Sequence, residues 1–417
     1  MCFRLLSASG GHRDRLEQGG VSFLLLRPQG GPICGCLERA GDRSVSVHRR
    51  RIRLTIQACL SRKETAVLRE SLEICIITAV CLAGCSGNGS SVSVSSGDAR
   101  RIDTPAGMVE HLRRQNLPAV KSIEVWPNKY GDGICITTEH YEILTTLLDP
   151  LMLCQVPGFM ESAYRAYNSQ LPEPIGTVTR FRTYLFGERQ QWEDFTEVFA
   201  GPRAPVYRKI KAGAYYLNGA CVAYHIDRER TFSVLGHEGW HQFNSRHFKF
   251  RLPSWLDEGI ATLFEVSRYD AGLFYFEPGR NLQRLGALKQ TLMKNKTIPL
   301  KQLVAINPGE VLSMDEGEAV TAFYAQSYAL VRFLREEDYG KRLANYHQLL
   351  LGGLRGGWPL SEAAERNAAD RNIPLTVQWN RVVGPRLFEH YVGDDYEQLE
   401  QEYLKFCRKT VYHVHFR

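Results

Sequence analysis

Residues 228–243 read RERTFSVLGHEGWHQF, and the five at the centre, His237-Glu238-Gly239-Trp240-His241, decide how the chain is to be understood. The segment has helical period, so residues four apart share a face and the two imidazoles can reach a single metal ion. Glu238 projects beside them, where a carboxylate can take a proton from a water held at that ion. Two ligands are too few, because a catalytic zinc site uses three protein ligands and keeps its fourth position open. Two residues compete for the third place. His247 stands ten residues after His237 in HEGWHQFNSRH, with Asn244, a residue that tolerates a left-handed turn, between them. Glu258 stands seventeen residues after His241 in LPSWLDEGIATLFE, where a turn at residues 251–253 would send a second helix back alongside the first.

Outward from this centre, residues 108–117 (MVEHLRRQNL) are amphipathic, and SIEVW and ICITT alternate as a short hairpin around residues 128–133. Residues 141–167 read as helix in two or three pieces, interrupted by Pro150 and Pro157. Residues 177–186 (TVTRFRTYLF) alternate as a strand, 190–199 have helical period, and 214–224 (AYYLNGACVAY) read as a second strand. Beyond Ser254 most segments are helical in period: 254–266, 281–293, 319–336, 339–351 and 394–406. Strands followed by helices give an α+β class. The expected organisation is an N-terminal α+β part over residues 101–250, carrying the strand and the histidine helix, and a mainly helical lobe over 251–417.

The string Trp255-Leu256-Asp257-Glu258-Gly259-Ile260-Ala261 resembles the WLxEGxA segment of gluzincins, the HExxH metallopeptidases whose third zinc ligand is a glutamate. The resemblance covers roughly residues 164–334 and implies a zincin-like fold, with a small mixed sheet over the HExxH helix. It assigns Zn²⁺ to His237, His241 and Glu258, and the role of general base to Glu238. His247 would instead be the ligand in the metzincin pattern, from which Asn244 departs by replacing a glycine. Asp257 is left as a supporting or solvated side chain, and Gly259 as a point of close helix approach. Residues 324–334 (YAQSYALVRFL) are similar to the gluzincin aminopeptidase segment whose tyrosine steadies the oxyanion. Tyr324 falls on that tyrosine and Tyr328 is the next choice, although the Glu-Lys-Gly expected after it is absent. Gluzincins also run an edge strand above the zinc helix, and in aminopeptidases a nearby glutamate holds the substrate amine. Residues 213–218 (GAYYLN) carry no carboxylate, so the resemblance implies an endopeptidase-like activity on peptide or protein substrates. The contrasting class is an envelope binding or scaffold module on the same fold, which has no physical need for a carboxylate beside a metal.

Length and charge reinforce this division. The 417 residues carry a net charge of +7 and 11 cysteines, but residues 1–85 hold 13 Lys and Arg against 7 Asp and Glu, together with seven of the cysteines. The remainder is nearly neutral, which gives no footprint for nucleic acid. Residues 72–82 (LEICIITAVCL) are too short an apolar run to span a bilayer and fit the apolar part of a secretory signal. Leu82-Ala83-Gly84-Cys85 resembles the bacterial lipobox, which implies lipid attachment at Cys85 and a membrane-anchored protein of the cell envelope. Residues 1–66 are accordingly expected to be an upstream extension, 67–85 a lipoprotein signal and 86–100 a Ser/Gly linker. Cys135, Cys154, Cys221 and Cys407 remain, none at metal-ligand spacing.

Overall fold

The computed structural model describes residues 102–210, 213–307, 317–372 and 377–415. The expectations for residues 1–66, 67–85 and 86–100, and for lipid attachment at Cys85, lie outside the described residues. A first helix, α1 (Pro105–Arg113), starts at Thr104, whose hydroxyl accepts the Gly107 amide at 3.2 Å. Strands β1 (Ser122–Val125) and β2 (Ile134–Thr137) form the antiparallel hairpin expected there, with Ile123 opposite Ile136.

Residues 141–167 depart from expectation. They hold a strand, β3 (Tyr141–Thr145), and one continuous helix, α2 (Pro150–Asn168). In β3 Tyr141, Ile143 and Thr145 are buried, a period of two that five residues barely express. Pro150 opens α2 instead of breaking it, because the first helical position needs no amide hydrogen. Asp149 caps that turn by accepting the Met152 amide at 3.0 Å. Pro157 sits inside the helix among the buried Leu153, Val156, Phe159 and Met160, whose packing offsets the one missing hydrogen bond.

Strand β4 (Phe181–Phe186) runs parallel to β3, and α3 (Arg189–Ala200) follows it. Residues 214–224 are a hairpin, not the single strand expected: β5 (Ala214–Leu217) turns at Asn218-Gly219 into β6 (Ala220–Tyr224). Both turn residues have positive φ, 49° and 83°, the type I′ geometry that Asn-Gly favours. The six strands form one mixed sheet in the order β1-β2-β3-β4-β6-β5, which leaves β5 on an edge.

One face of this sheet and α3 enclose a cluster of Phe186, Trp192, Phe195, Tyr215 and Val222. Against β5 and β6 packs α4 (Arg228–His247), capped by Asp227, and a short α5 (Ser254–Ala261) follows. After a 3₁₀ turn at Thr262–Phe264 comes an unanticipated antiparallel pair, β7 (Ser267–Asp270) and β8 (Leu273–Phe276). The lobe then continues as helices α6 (Leu282–Met293), α7 (Gly317–Glu336), α8 (Leu343–Arg355), α9 (Glu362–Ala369), α10 (Val377–Tyr391) and α11 (Tyr396–Thr410). Helix α7 is its axis, packing against α5, α6, α8 and α11. Where a helix from residue 339 was expected, Asp338 and Tyr339 take positive φ and α8 starts at Leu343. The molecule is thus a mixed α+β fold. Among the described residues no helix is long and apolar enough to cross a membrane.

Candidate metal centre

Helix α4 is buried along His237–Asn244, so its polar side chains there must find partners inside the protein. Two glycines let it sit that deep. A Cβ on Gly236 would collide with the Phe264 carbonyl, and one on Gly239 with the Tyr167 hydroxyl, which donates to the Gly236 carbonyl at 2.7 Å. Gly259 does the same for α5: a Cβ there would lie 2.5 Å from the Ser327 carbonyl oxygen of α7. Glycine contacts thus bring α4 against α2 and the 3₁₀ turn, and α5 against α7.

His237, His241 and Glu258 come together, their ligand atoms all within 4.8 Å of one another. His237 Nε2 lies 3.4 Å and His241 Nε2 3.7 Å from Glu258 Oε2. All three residues are buried, and none of these three atoms has a hydrogen-bond partner among the described residues. Buried polar atoms left without partners cost several kcal/mol unless something else satisfies them, and these three converge on one point. The other ring nitrogens are fixed from behind. His237 Nδ1 meets Glu265 Oε1 at 3.0 Å, and His241 Nδ1 meets Asp257 Oδ1 at 3.2 Å. Such carboxylate partners orient an imidazole so that Nε2 carries the lone pair toward the ion.

The electrostatics call for positive charge. Burial depresses the pKa of His241, yet Asp257 and Glu258 outweigh it and raise it to about 10. His237 is raised too, burial being outweighed by Glu258 and Glu265. A field that holds protons on buried imidazoles is equally a field that favours a cation in the same place. The residues therefore fit a metal ion.

Glu238 is 1% exposed and neither of its carboxylate oxygens is hydrogen-bonded among the described residues. Burial lifts its pKa to about 7, against the pull of both imidazoles and of the Tyr216 backbone on β5. His247 stands apart from the group: its Nε2 bonds Thr177 Oγ1 at 2.8 Å and its ring packs 4.6 Å from Phe243. Tyr324 is buried on α7 with the Arg284 guanidinium 5.2 Å over its ring, which ties it to the Glu265 end of the site. The hydroxyl of Tyr328 donates to the Pro278 carbonyl at 2.5 Å and accepts from Arg332 at 2.8 Å. Cys221 lies on β6, its thiol pushed well up by burial and then by Glu238, and it makes no disulfide.

Of the two supporting carboxylates, Asp257 takes the supporting role that the sequence left open to it, and Glu265 is the one missed from sequence. Glu265 is gripped by Arg284 through Nε and Nη2 at 2.9 and 2.6 Å and by Asn281 at 2.8 Å, and its pKa stays at about 2 because Arg284 overcomes burial. Asp257 also accepts from Trp240 Nε1 at 2.9 Å and Asn244 Nδ2 at 2.6 Å, so Asn244 serves a carboxylate and not a turn. The available signal was Glu265 itself, seven residues and two helical turns beyond Glu258. No family model matches the chain, and no curated protein matches it either.

Proposed function

We propose that the chain is a zinc-dependent peptidase of gluzincin type on a zincin-like fold, cleaving peptide bonds in the manner of an endopeptidase. One observation carries the reading: three buried donors without a hydrogen-bond partner among the described residues, Nε2 of His237, Nε2 of His241 and Oε2 of Glu258, converge beside the enclosed carboxylate of Glu238. Zinc suits the donor set of two imidazoles and a carboxylate. Tetrahedral ligands about 2.1 Å from an ion lie about 3.4 Å apart, close to the observed 3.4 and 3.7 Å. Bound there, zinc would supply Lewis acidity, making water acidic near neutral pH and polarising a carbonyl.

The protein's own groups supply the rest. Glu238, whose pKa of about 7 suits both uptake and release of a proton, accepts one from the attacking water and returns it to the leaving amine. Asp257 and Glu265 hold both imidazoles in the ligand tautomer. Strand β5 offers the substrate a place. In a two-residue hairpin the pair next to the turn, Leu217 and Ala220, is hydrogen-bonded, so the backbone of Tyr216 faces the open edge. An extended peptide adding to that edge lies beside Glu238. The oxyanion role of Tyr324 is carried by the resemblance in residues 324–334.

The test is the metal content of the purified chain by mass spectrometry, with cleavage of a diverse peptide library before and after chelation. Stoichiometric zinc and chelator-sensitive cleavage are expected. A zinc-loaded chain that cleaves nothing would leave only the binding-module reading.

A further inference from the structure

Behind His237 sits a buried charged group whose members all come from outside the helix that carries the ligand. Glu265 follows the 3₁₀ turn after α5, Asn281 caps α6, and Arg284 stands in the first turn of α6. Both oxygens of Glu265 are engaged twice. Oε1 meets His237 Nδ1 at 3.0 Å and accepts from Arg284 Nη2 at 2.6 Å, while Oε2 accepts from Arg284 Nε at 2.9 Å and from Asn281 Nδ2 at 2.8 Å. That fills the places a carboxylate has for donors, so its orientation is set. All three residues are buried, Arg284 and Asn281 at 2% exposure each. Asn281 Oδ1 also accepts the Arg284 amide at 3.1 Å, so the residue that starts α6 fixes both the backbone of Arg284 and the carboxylate that Arg284 holds.

The same guanidinium has a second neighbour. Its central carbon lies over the ring of Tyr324, 5.2 Å from the centroid, and that ring is buried on α7. One side chain of α6 thus touches the carboxylate behind a metal ligand and the tyrosine matched to the oxyanion role. As an ion pair it does little for the core, since taking two charges out of water costs about as much as their attraction returns, and a packed apolar pair would serve as well. An apolar pair cannot present an oxygen to His237 Nδ1 or a cation to the Tyr324 ring.

We infer that Arg284 is a positioning residue of the metal centre: through Glu265 it fixes the His237 imidazole toward the ion, and through the Tyr324 ring it fixes the phenol, so that metal affinity and turnover both depend on it. It touches neither metal nor substrate itself. The inference rests on the peptidase reading.

The test compares the wild-type full chain with R284K. Lysine keeps the charge and loses the fork, so a cation that merely balances Glu265 is preserved and one that positions it is not. Zinc affinity is read by competition with a chromogenic chelator, ligand geometry by the visible absorption of the cobalt-loaded chain, and peptide cleavage at saturating zinc. R284K should bind zinc about tenfold more weakly, shift the cobalt absorption, and lose about tenfold in kcat with KM nearly unchanged. Added to Y324F, which lacks the hydroxyl, it should lower kcat little further, because both changes act on one group. Should R284K fail to fold, E265Q/R284Q, which buries no unpaired charge, takes its place with the same expectations. A folded variant with wild-type zinc affinity, cobalt absorption and kcat overturns the inference while peptidase activity stands; a lower melting temperature alone is what a structural pair would give. Additive losses in kcat from R284K and Y324F overturn the Tyr324 half. A wild type that binds zinc and cleaves nothing removes the peptidase reading and the Tyr324 half with it, and weaker zinc binding by R284K then sustains the Glu265 half. A wild type that binds no zinc removes both.

Discussion

At Glu238 a carboxyl group is enclosed without a hydrogen-bond partner among the described residues, a costly arrangement for a residue whose only task is packing. In E238Q the side chain keeps its shape and loses its basicity, so peptide cleavage should fall about a thousandfold while bound zinc, measured by mass spectrometry, stays near one per chain. Full activity in that variant would show that another group is the base. This residue was legible because its signal is local: His237, Glu238 and His241 declare a shared helical face by spacing alone. Glu265, Asn281 and Arg284 were not, since they arrive from separate elements with no common period and become a group only once α5, its 3₁₀ turn and α6 have packed. His247 shows the limit of reading by spacing, for its ring nitrogen is taken by Thr177. Its pKa is pushed down to about 4 by burial and by Arg246, against about 6.5 in an unfolded chain. Between those values the unfolded chain binds a proton that the folded one refuses, so stability is full above about pH 6.5 and declines as pH falls toward 4. In H247N the fall in melting temperature between pH 6.5 and 4.5 should be smaller than in the wild type, by a modest margin because the ring is only half-buried.

Among the elements, α5 carries the third ligand on eight residues, and its position depends on Gly259. A methyl group in G259A would stand 2.5 Å from the Ser327 carbonyl and 2.6 Å from Val331 Cγ2, both on α7. Neither can retreat within a packed helix pair, so the variant should lose about 1–3 kcal/mol of stability, read by denaturant titration, and bind zinc more weakly because Glu258 shifts with its helix. Wild-type zinc affinity in G259A would disconnect the helix contact from the site. The sequence marked this contact through the glycine beside the ligand, and it marked the β1–β2 hairpin through alternation. It was misread where one residue type has two meanings. Pro150 starts a helix because it follows the Asp149 cap, and Asn218-Gly219 turns a hairpin inside an apolar run that otherwise reads as one strand. In both cases the local turn chemistry, not hydrophobic period, held the information.

Across the whole molecule, the sheet and the helical lobe share a single continuous core, running from Met108 on α1 to Val414 after α11 and including the residues around α4 and α7. Such a core makes residues 101–250 and 251–417 halves of one cooperative unit, with the ligand set split between them: two histidines come from the first and Glu258 from the second. The lipid anchor expected at Cys85 predicts that the chain isolated from membranes begins at that cysteine and carries acyl mass on it, which mass spectrometry of the mature N-terminus would read directly. A membrane-derived chain retaining residues 1–84 would dismiss that assignment. The split ligand set predicts something about unfolding. A metal ion bridging two halves of one core stabilises both at once, by RT ln(1 + [L]/Kd), about 4 kcal/mol when free zinc stands a thousandfold above its dissociation constant. Calorimetry of the zinc-loaded chain should therefore give one main transition for the folded part, and chelation should move it down as a whole, on the order of 10 °C. If the ion served only the α4 side, or if the lobe folded by itself, chelation would split the transition and leave one component where it was. A single transition indifferent to chelation would mean that the His237, His241 and Glu258 cluster holds no ion that matters to the fold.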